Sequence, residues 1–245
     1  MIDLRLVRHF VRQLARGKRF WGMAVLSSVA GFIAWISTIS ENDESIAEIF
    51  HMVTITAGWT TISIAFLVIG CATLRDERDA GTLPFIYMKP IPRWRWATSA
   101  WAAAALVSFA VGVVGWLVGF LAMGLTTGSW TLALPALGLY AAAAIGYTAV
   151  FVPIGYLFTR AILIGLAYVF VWELIITTAV GGLAASSVWR TAMSIYADLT
   201  VLPDDALEVL GPVAPGLGGG ALKLVGTAVV GVGILLWALR RRDAL

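Results

Sequence analysis

The sequence predicts an all-α integral membrane protein of six transmembrane helices, preceded by an in-plane amphipathic N-terminal helix and carrying short external helices before the last span. Three observations predict it. Hydrophobic residues make up 60% of the 245 and charged residues 13%, whereas soluble domains sit near half and a quarter, so there is too little charge to build a polar shell. Six apolar segments each reach the ~20 residues that a bilayer-spanning helix requires. The basic residues gather at the ends of those segments instead of spreading over one face, as membrane topology demands. That clustering argues against a nucleic-acid partner despite the net charge of +3.

The expected spans are Phe20–Ser40, Phe50–Thr73, Ala97–Leu125, Trp130–Phe158, Ala161–Leu183 and Leu217–Leu239. The third and fourth are divided by turn chemistry at Thr126, Thr127, Gly128 and Ser129. Only Thr159 and Arg160 interrupt the apolar run between the fourth and fifth. Trp21, Trp35, Trp94, Trp96 and Trp130 lie near span ends, where tryptophans anchor at the headgroup level.

Orientation follows from the cations. Six precede the first span, five lie between the second and third (Arg75, Arg78, Lys89, Arg93 and Arg95), Arg160 separates the fourth from the fifth, and Arg240, Arg241 and Arg242 follow the last. Fifteen of the 17 basic residues thus fall on one side, with Arg190 and Lys223 opposite. The expectation is a multi-pass protein of a bacterial cytoplasmic membrane with both termini cytoplasmic. No small-residue cleavage site follows the basic start, so no cleavable signal is expected.

The chain reads as one transmembrane domain over 1–245 with three non-spanning parts. Within 1–18, Leu4, Leu6, Val7, Phe10, Val11 and Leu14 fill one arc of a helical wheel, and Arg5, Arg8, His9, Arg12, Gln13 and Arg16 the other. A calmodulin target or a transit peptide shows a similar pattern. The span that follows at once favours a helix lying in the membrane surface, with Arg5, Arg8, Arg12 and Arg16 toward anionic headgroups of membrane lipids. Residues 184–216 form an outer loop in which Trp189, Met193, Ile195 and Tyr196, then Leu207, Val209 and Leu210, suggest short amphipathic helices folded against the outer leaflet. The loop 75–96 runs Arg75-Asp76-Glu77-Arg78-Asp79-Ala80-Gly81-Thr82-Leu83-Pro84 and on through Phe85-Ile86-Tyr87-Met88 to Pro90-Ile91-Pro92-Arg93. Its charges read as a solvated start, Gly81 as the end of a helical turn, and the apolar patch that follows as a surface that needs covering.

That loop, with Glu77, then Gly81-Thr82-Leu83, then Pro90 and Pro92-Arg93 before the next span, resembles the corresponding loop of type-2 ABC exporter permeases. The in-plane first helix, the six spans and the outer helical loop share the likeness as architecture. The resemblance implies a coupling helix after the second span that seats in a groove of a cytoplasmic ABC ATPase subunit. Asp76, Glu77, Asp79, Gly81, Thr82 and Leu83 would face that partner. It also implies a second permease copy, identical or homologous, and transport out of the cell. A P-loop needs glycine amides followed by Lys and Ser/Thr, and none of Lys18, Lys89 and Lys223 has that context. No cofactor is therefore expected in this chain, with ATP and Mg on the partner ATPase, and the chain is not expected to be an enzyme.

Glu173 is the ionisable residue expected near the middle of a span, where a carboxylate is costly and suggests function or a specific partner. Its readings are a substrate contact, a proton-sensitive site, a cross-dimer pair or a hydrogen-bonded tie between helices, with Thr177 one turn on. Thr54, Gly58, Thr61 and Ala65 share one face of the second span and suit either close helix packing or a translocation path. The alternative function is a secondary transporter or channel using Glu173 as an ion or proton site; a membrane-embedded enzyme or assembly factor is a third. His9 and His51 lie far apart, no paired-cysteine motif occurs around the single Cys71, and no metal site is expected.

Overall fold

The computed structural model describes residues 3–38, 43–81, 91–128, 130–131, 133–202 and 216–241. These residues are helical throughout apart from short turns, with no strand among them. Helix α1 (Leu4–Arg16) leads into six long apolar helices: α2 (Lys18–Thr38), α3 (Asp43–Asp79), α4 (Arg93–Thr127), α5 (Pro135–Leu157), α6 (Ala161–Ala179) and, after the outer helix α7 (Val188–Leu199), α8 (Gly216–Arg241). Each of the six is long and apolar enough to cross a bilayer. Thr82 and Leu83, the apolar patch that follows with Pro84 and Pro90, and Leu207, Val209 and Leu210 lie outside the described residues.

Several expected boundaries shift, the second span beginning at Asp43 and not at Phe50. Helix α3 runs on to Asp79 instead of stopping at Thr73, because Arg75 and Asp79 pair one turn apart (Nε to Oδ2, 3.2 Å) and carry the helix into water. Helix α4 starts at Arg93, four residues early. Helix α5 starts at Pro135, where a fixed φ suits a first turn, and not at Trp130. The fifth span ends at Ala179, and its middle, Tyr168–Ile176, is wound as a π-helix. The break at Phe158–Arg160 between the fourth and fifth spans is present.

Two close approaches set the bundle. A Cβ on Gly31 of α2 would sit 2.7 Å from the Gly119 nitrogen of α4, so the two backbones touch because neither residue has a side chain there. Ser27 nearby donates to the Val111 carbonyl at 2.9 Å. The core lies between α3 and α5, where Phe66, Leu67, Leu139, Tyr147 and Phe151 are sealed from solvent and the rings of Tyr147 and Phe151 stack at 5.5 Å.

Helix α1 begins with Asp3, whose carboxylate accepts the Arg5 amide at 3.0 Å. Its buried residues are Val7, Phe10 and Leu14, and what buries them is the chain's own bundle. Phe10 meets Trp96 edge-on at 5.7 Å, and Ser99 Oγ accepts the Asp3 amide at 3.2 Å. Trp96 is thus a buried partner of α1 and not an interfacial anchor, while Trp21, Trp35, Trp94 and Trp130 keep exposed faces. Leu4, 79% exposed, is left uncovered.

Helix α7 also departs from expectation. Trp189, Met193, Ile195 and Tyr196 are buried, packed against α5 and α8 inside the core cluster. The apolar face of this outer helix is covered by protein and not by the leaflet. The Tyr196 hydroxyl lies 2.7 Å from His51 Nδ1 on α3, and burial raises its pKa well above the ordinary tyrosine value.

Candidate functional site: the acidic end of helix α3 and the Glu173 clamp

Helix α3 ends in a cluster of charges that the sequence places in a loop. Asp76 accepts Arg19 Nη1 at both carboxylate oxygens, at 2.7 and 2.8 Å. Glu77 is buried to 7% exposure, with its Oε1 3.0 Å from His9 Nε2. Asp79 is more open and lies 3.2 Å from Arg75 and 3.6 Å from Arg78. Arg78 also donates to the Tyr156 carbonyl at the end of α5, at 2.9 Å. Gly81 then takes a left-handed φ of 68° with open space around it, which is the glycine stop of a helix.

Two of the acidic residues are therefore engaged by neighbouring helices, Glu77 buried and Asp76 partly exposed. Asp76 ties α3 to the start of α2, and Glu77 ties it to α1. An exposed ion pair such as Arg19–Asp76 contributes only about 0–1 kcal/mol; its consequence is geometric, because α1, α2 and the end of α3 are held as one block. Asp79 and Gly81, both exposed, are the expected coupling residues that remain on the surface.

Glu173 sits at the second cluster. Five donors converge on its two oxygens. Tyr147 of α5 and Tyr168 of α6 give their hydroxyls, the latter at 3.3 Å. Trp59 of α3 gives its indole N–H at 3.4 Å. The backbone amides of Val188 and Trp189, at the start of α7, lie 2.9 and 3.4 Å away. Every partner donates, so the position asks for a group that only accepts. The first turn of α7 presents unsatisfied amides and the positive end of its dipole, and Glu173 fills that need from the neighbouring span. Thr177 donates to the Glu173 carbonyl at 2.6 Å, inside the stretch where π winding replaces the regular α ladder.

Of the four residues expected in a path or a helix interface, all are buried: Thr54, Thr61, Glu173 and Thr177. The Thr61 hydroxyl returns to the Ala57 carbonyl at 2.9 Å, and Thr54 faces Ala30, Gly115 and Tyr140 across a narrow gap. Next to Glu173 a cavity of about 300 Å³ is bounded by Thr56, Thr60, Trp59, Thr178 and Arg190, with Arg190 donating to Thr178 Oγ1 at 3.3 Å. Nothing local links Glu173 to Trp59 or Tyr147, 114 and 26 positions away, and Tyr168, five positions away on the same helix, is brought to its carboxylate within the π-wound stretch. No group of three His, Cys, Asp or Glu suited to a metal occurs among the described residues.

The sequence profile of a family described as ABC-2 family transporter protein matches residues 12–178, well over half of the chain. The chain belongs to the ABC-2 transporter family. Comparison with curated proteins finds no match. An ABC-2 protein of this kind is a membrane permease of an ABC transporter, the transport subunit of a multi-pass assembly, and permeases of the family generally pair with ABC ATPase subunits. The matched stretch takes in both clusters described above, the acidic end of α3 and the π-wound segment with Glu173. It stops before α7 and α8, so the helix that Glu173 caps lies beyond it.

Within the ABC-2 permease, Arg5, Arg8, Arg12 and Arg16 form an exposed row along α1. They border a recess of about 380 Å³ with His9 and Gln13. Their helix turns its other face to the protein, so the row points away from the bundle.

Proposed function

We propose that this ABC-2 permease is the membrane subunit of an exporter of a bacterial cytoplasmic membrane. Two permease copies, identical or homologous, enclose the translocation path, and separate ATPase subunits carrying ATP and Mg supply the energy. The end of the bundle where Arg19, Arg75, Arg78, Arg93, Arg95 and Arg240 gather faces the cytoplasm, with both chain termini on that side and the arginine row of α1 at the headgroup level. The ATPase bears on the surface that begins at Asp79 and Gly81 and continues through Thr82 and Leu83.

The observation that carries this reading is the pair of ties His9–Glu77 and Arg19–Asp76. A push delivered just beyond α3 reaches α1, α2 and α3 together, which suits a hinge-like switch between inward- and outward-facing states. Thr54, Thr61, Glu173 and Thr177 then serve as helix ties, and the 300 Å³ cavity, which Glu173 also borders, offers a path the polar groups of Thr56, Thr60, Thr178, Ser187 and Arg190. A secondary transporter using Glu173 would need at least one carboxylate oxygen open to an ion, whereas both are already engaged by protein donors.

The test is co-purification from membranes with a P-loop ATPase encoded beside this chain, followed by permease-stimulated ATP hydrolysis. Asp79→Arg and Ala80→Trp change exposed positions and are expected to lower both at least tenfold while the permease keeps its own thermal stability. Glu77→Arg is a poor probe, because it buries a cation beside His9. Full coupling in both surface variants would refute the assignment.

A further inference from the structure

An apolar groove of about 720 Å³ runs along α4, α5 and α8, within the size range of specific ligand sites. Its walls include Thr98 and Trp101 of α4, Ala142 and Ile145 of α5, and Val225 and Val229 of α8. The two polar side chains in its lining are already used. Thr98 donates to the Trp94 carbonyl at 2.8 Å, and Trp101 to the Ile145 carbonyl at 3.4 Å. An occupant inside the groove is thus offered contact with hydrocarbon and little else.

The lining on α8 runs from Ala221 to Gly233, about 18 Å at 1.5 Å per residue, comparable with the ~15 Å hydrocarbon depth of one leaflet. Both walls lead to a cation at the basic end. On α4, Arg95 lies three residues from Thr98, with its guanidinium 5.4 Å from the Trp94 ring centre. On α8 the groove stripe of Val229 and Gly233 continues through Leu236 to Arg240, at helical spacing. Arg93 donates to the Leu239 carbonyl at 2.5 Å, which pins these two helix ends together; Arg95 and Arg240 stand on the same two ends, beyond the groove lining. Both arginines are exposed.

We infer that this groove is a binding site for an anionic phospholipid of the leaflet at the basic end, with an acyl chain along α8 and the phosphate between Arg95 and Arg240. The charge at the groove's end selects this occupant over a second copy of the chain. In a two-fold contact through this groove the second copy would bring the same Arg95 and Arg240 to the same depth, where they repel, whereas a contact through another face is unaffected. The site is separate from the coupling surface of α3 and does not depend on the direction of transport.

The test is native mass spectrometry of the permease purified in mild detergent and exchanged into an equimolar mixture of phosphatidylglycerol and phosphatidylcholine. The wild type is expected to retain phosphatidylglycerol in preference. Arg95→Gln and Arg240→Gln should each lower the ratio of retained phosphatidylglycerol to phosphatidylcholine about fivefold, the effect of one surface cation on an anionic lipid. Val225→Trp with Val229→Trp should remove the retained lipid of both kinds; these residues are 60% and 67% exposed, so the added rings fill the groove without displacing the core. An unchanged ratio in the arginine variants overturns the inference, and that measurement stands even if the tryptophan variant does not fold. Efficient disulfide formation between two copies carrying Val229→Cys in native membranes also overturns it, by assigning the groove to a protein interface.

Discussion

The Glu173 carboxylate of α6 accepts the Val188 backbone amide of α7 at 2.9 Å, so a buried acidic group of one span supplements the Ser187 N-cap, whose Oγ accepts the Arg190 amide at 3.1 Å, at the start of the helix that follows. The same two oxygens hold Tyr147 and Trp59 from α5 and α3. One side chain thus joins four helices, and the consequences can be measured.

Glu173→Gln keeps the volume but turns one acceptor into a donor that faces other donors. The expected loss is about 1–3 kcal/mol, the usual effect of disrupting hydrogen bonds at a buried polar group. It should be read as a lower apparent Tm of the purified permease in detergent. Tyr147→Phe should lower it by a smaller amount, and the double variant should lose less than the sum of the two, since both act on one contact. Additive losses would mean that the two residues are energetically independent.

The docking of α1 separates an apolar from a polar contribution. Phe10 is fully buried against Trp96, so Phe10→Ala should cost about 3–5 kcal/mol locally. Hydrogen exchange of the α1 amides in detergent should then approach that of an undocked helix. His9→Ala removes a partner that is itself half-exposed, and should raise exchange only a few-fold, consistent with a contribution of about 1 kcal/mol or less. If His9→Ala loosens α1 as much as Phe10→Ala does, the packing account of this helix is wrong.

Six spans were legible from hydropathy because lipid demands long uninterrupted apolar helices. What resisted reading has a common physical cause: periodicity reports that a face is apolar but not what covers it. Trp189, Met193 and Tyr196 recur at helical spacing, a pattern equally suited to a leaflet and to the interior where they lie. Trp96 looked like an interfacial anchor for the same reason, yet Phe10 covers it. Helix α3 was cut short at Thr73 because the charged stretch after it has no apolar period, although Arg75 and Asp79 stood at the i, i+4 spacing of a helical ion pair. The Glu173 cluster was half visible. Its cost in a membrane marks the residue, while all its partners but Tyr168 come from three other helices and leave no local sign.

Glycine positions offer a sharper test of how the bundle is packed. Gly31 and Gly119 bring α2 and α4 into backbone contact, and a Cβ at Gly31 would lie 2.7 Å from main-chain atoms that cannot move aside. Gly31→Val should therefore separate the two helices, and overpacking of this kind costs about 1–3 kcal/mol or more. Gly22 and Gly226 lie in the same class of apolar helix, but a Cβ at either meets nothing within 4 Å. Alanine there should leave stability unchanged or raise it by about 0.4–1 kcal/mol through the unfolded chain. Detergent-solubilised yield and apparent Tm, measured on the three variants in parallel, distinguish these outcomes. Equal losses at all three positions would mean that helix flexibility, and not the α2–α4 contact, sets the requirement for glycine.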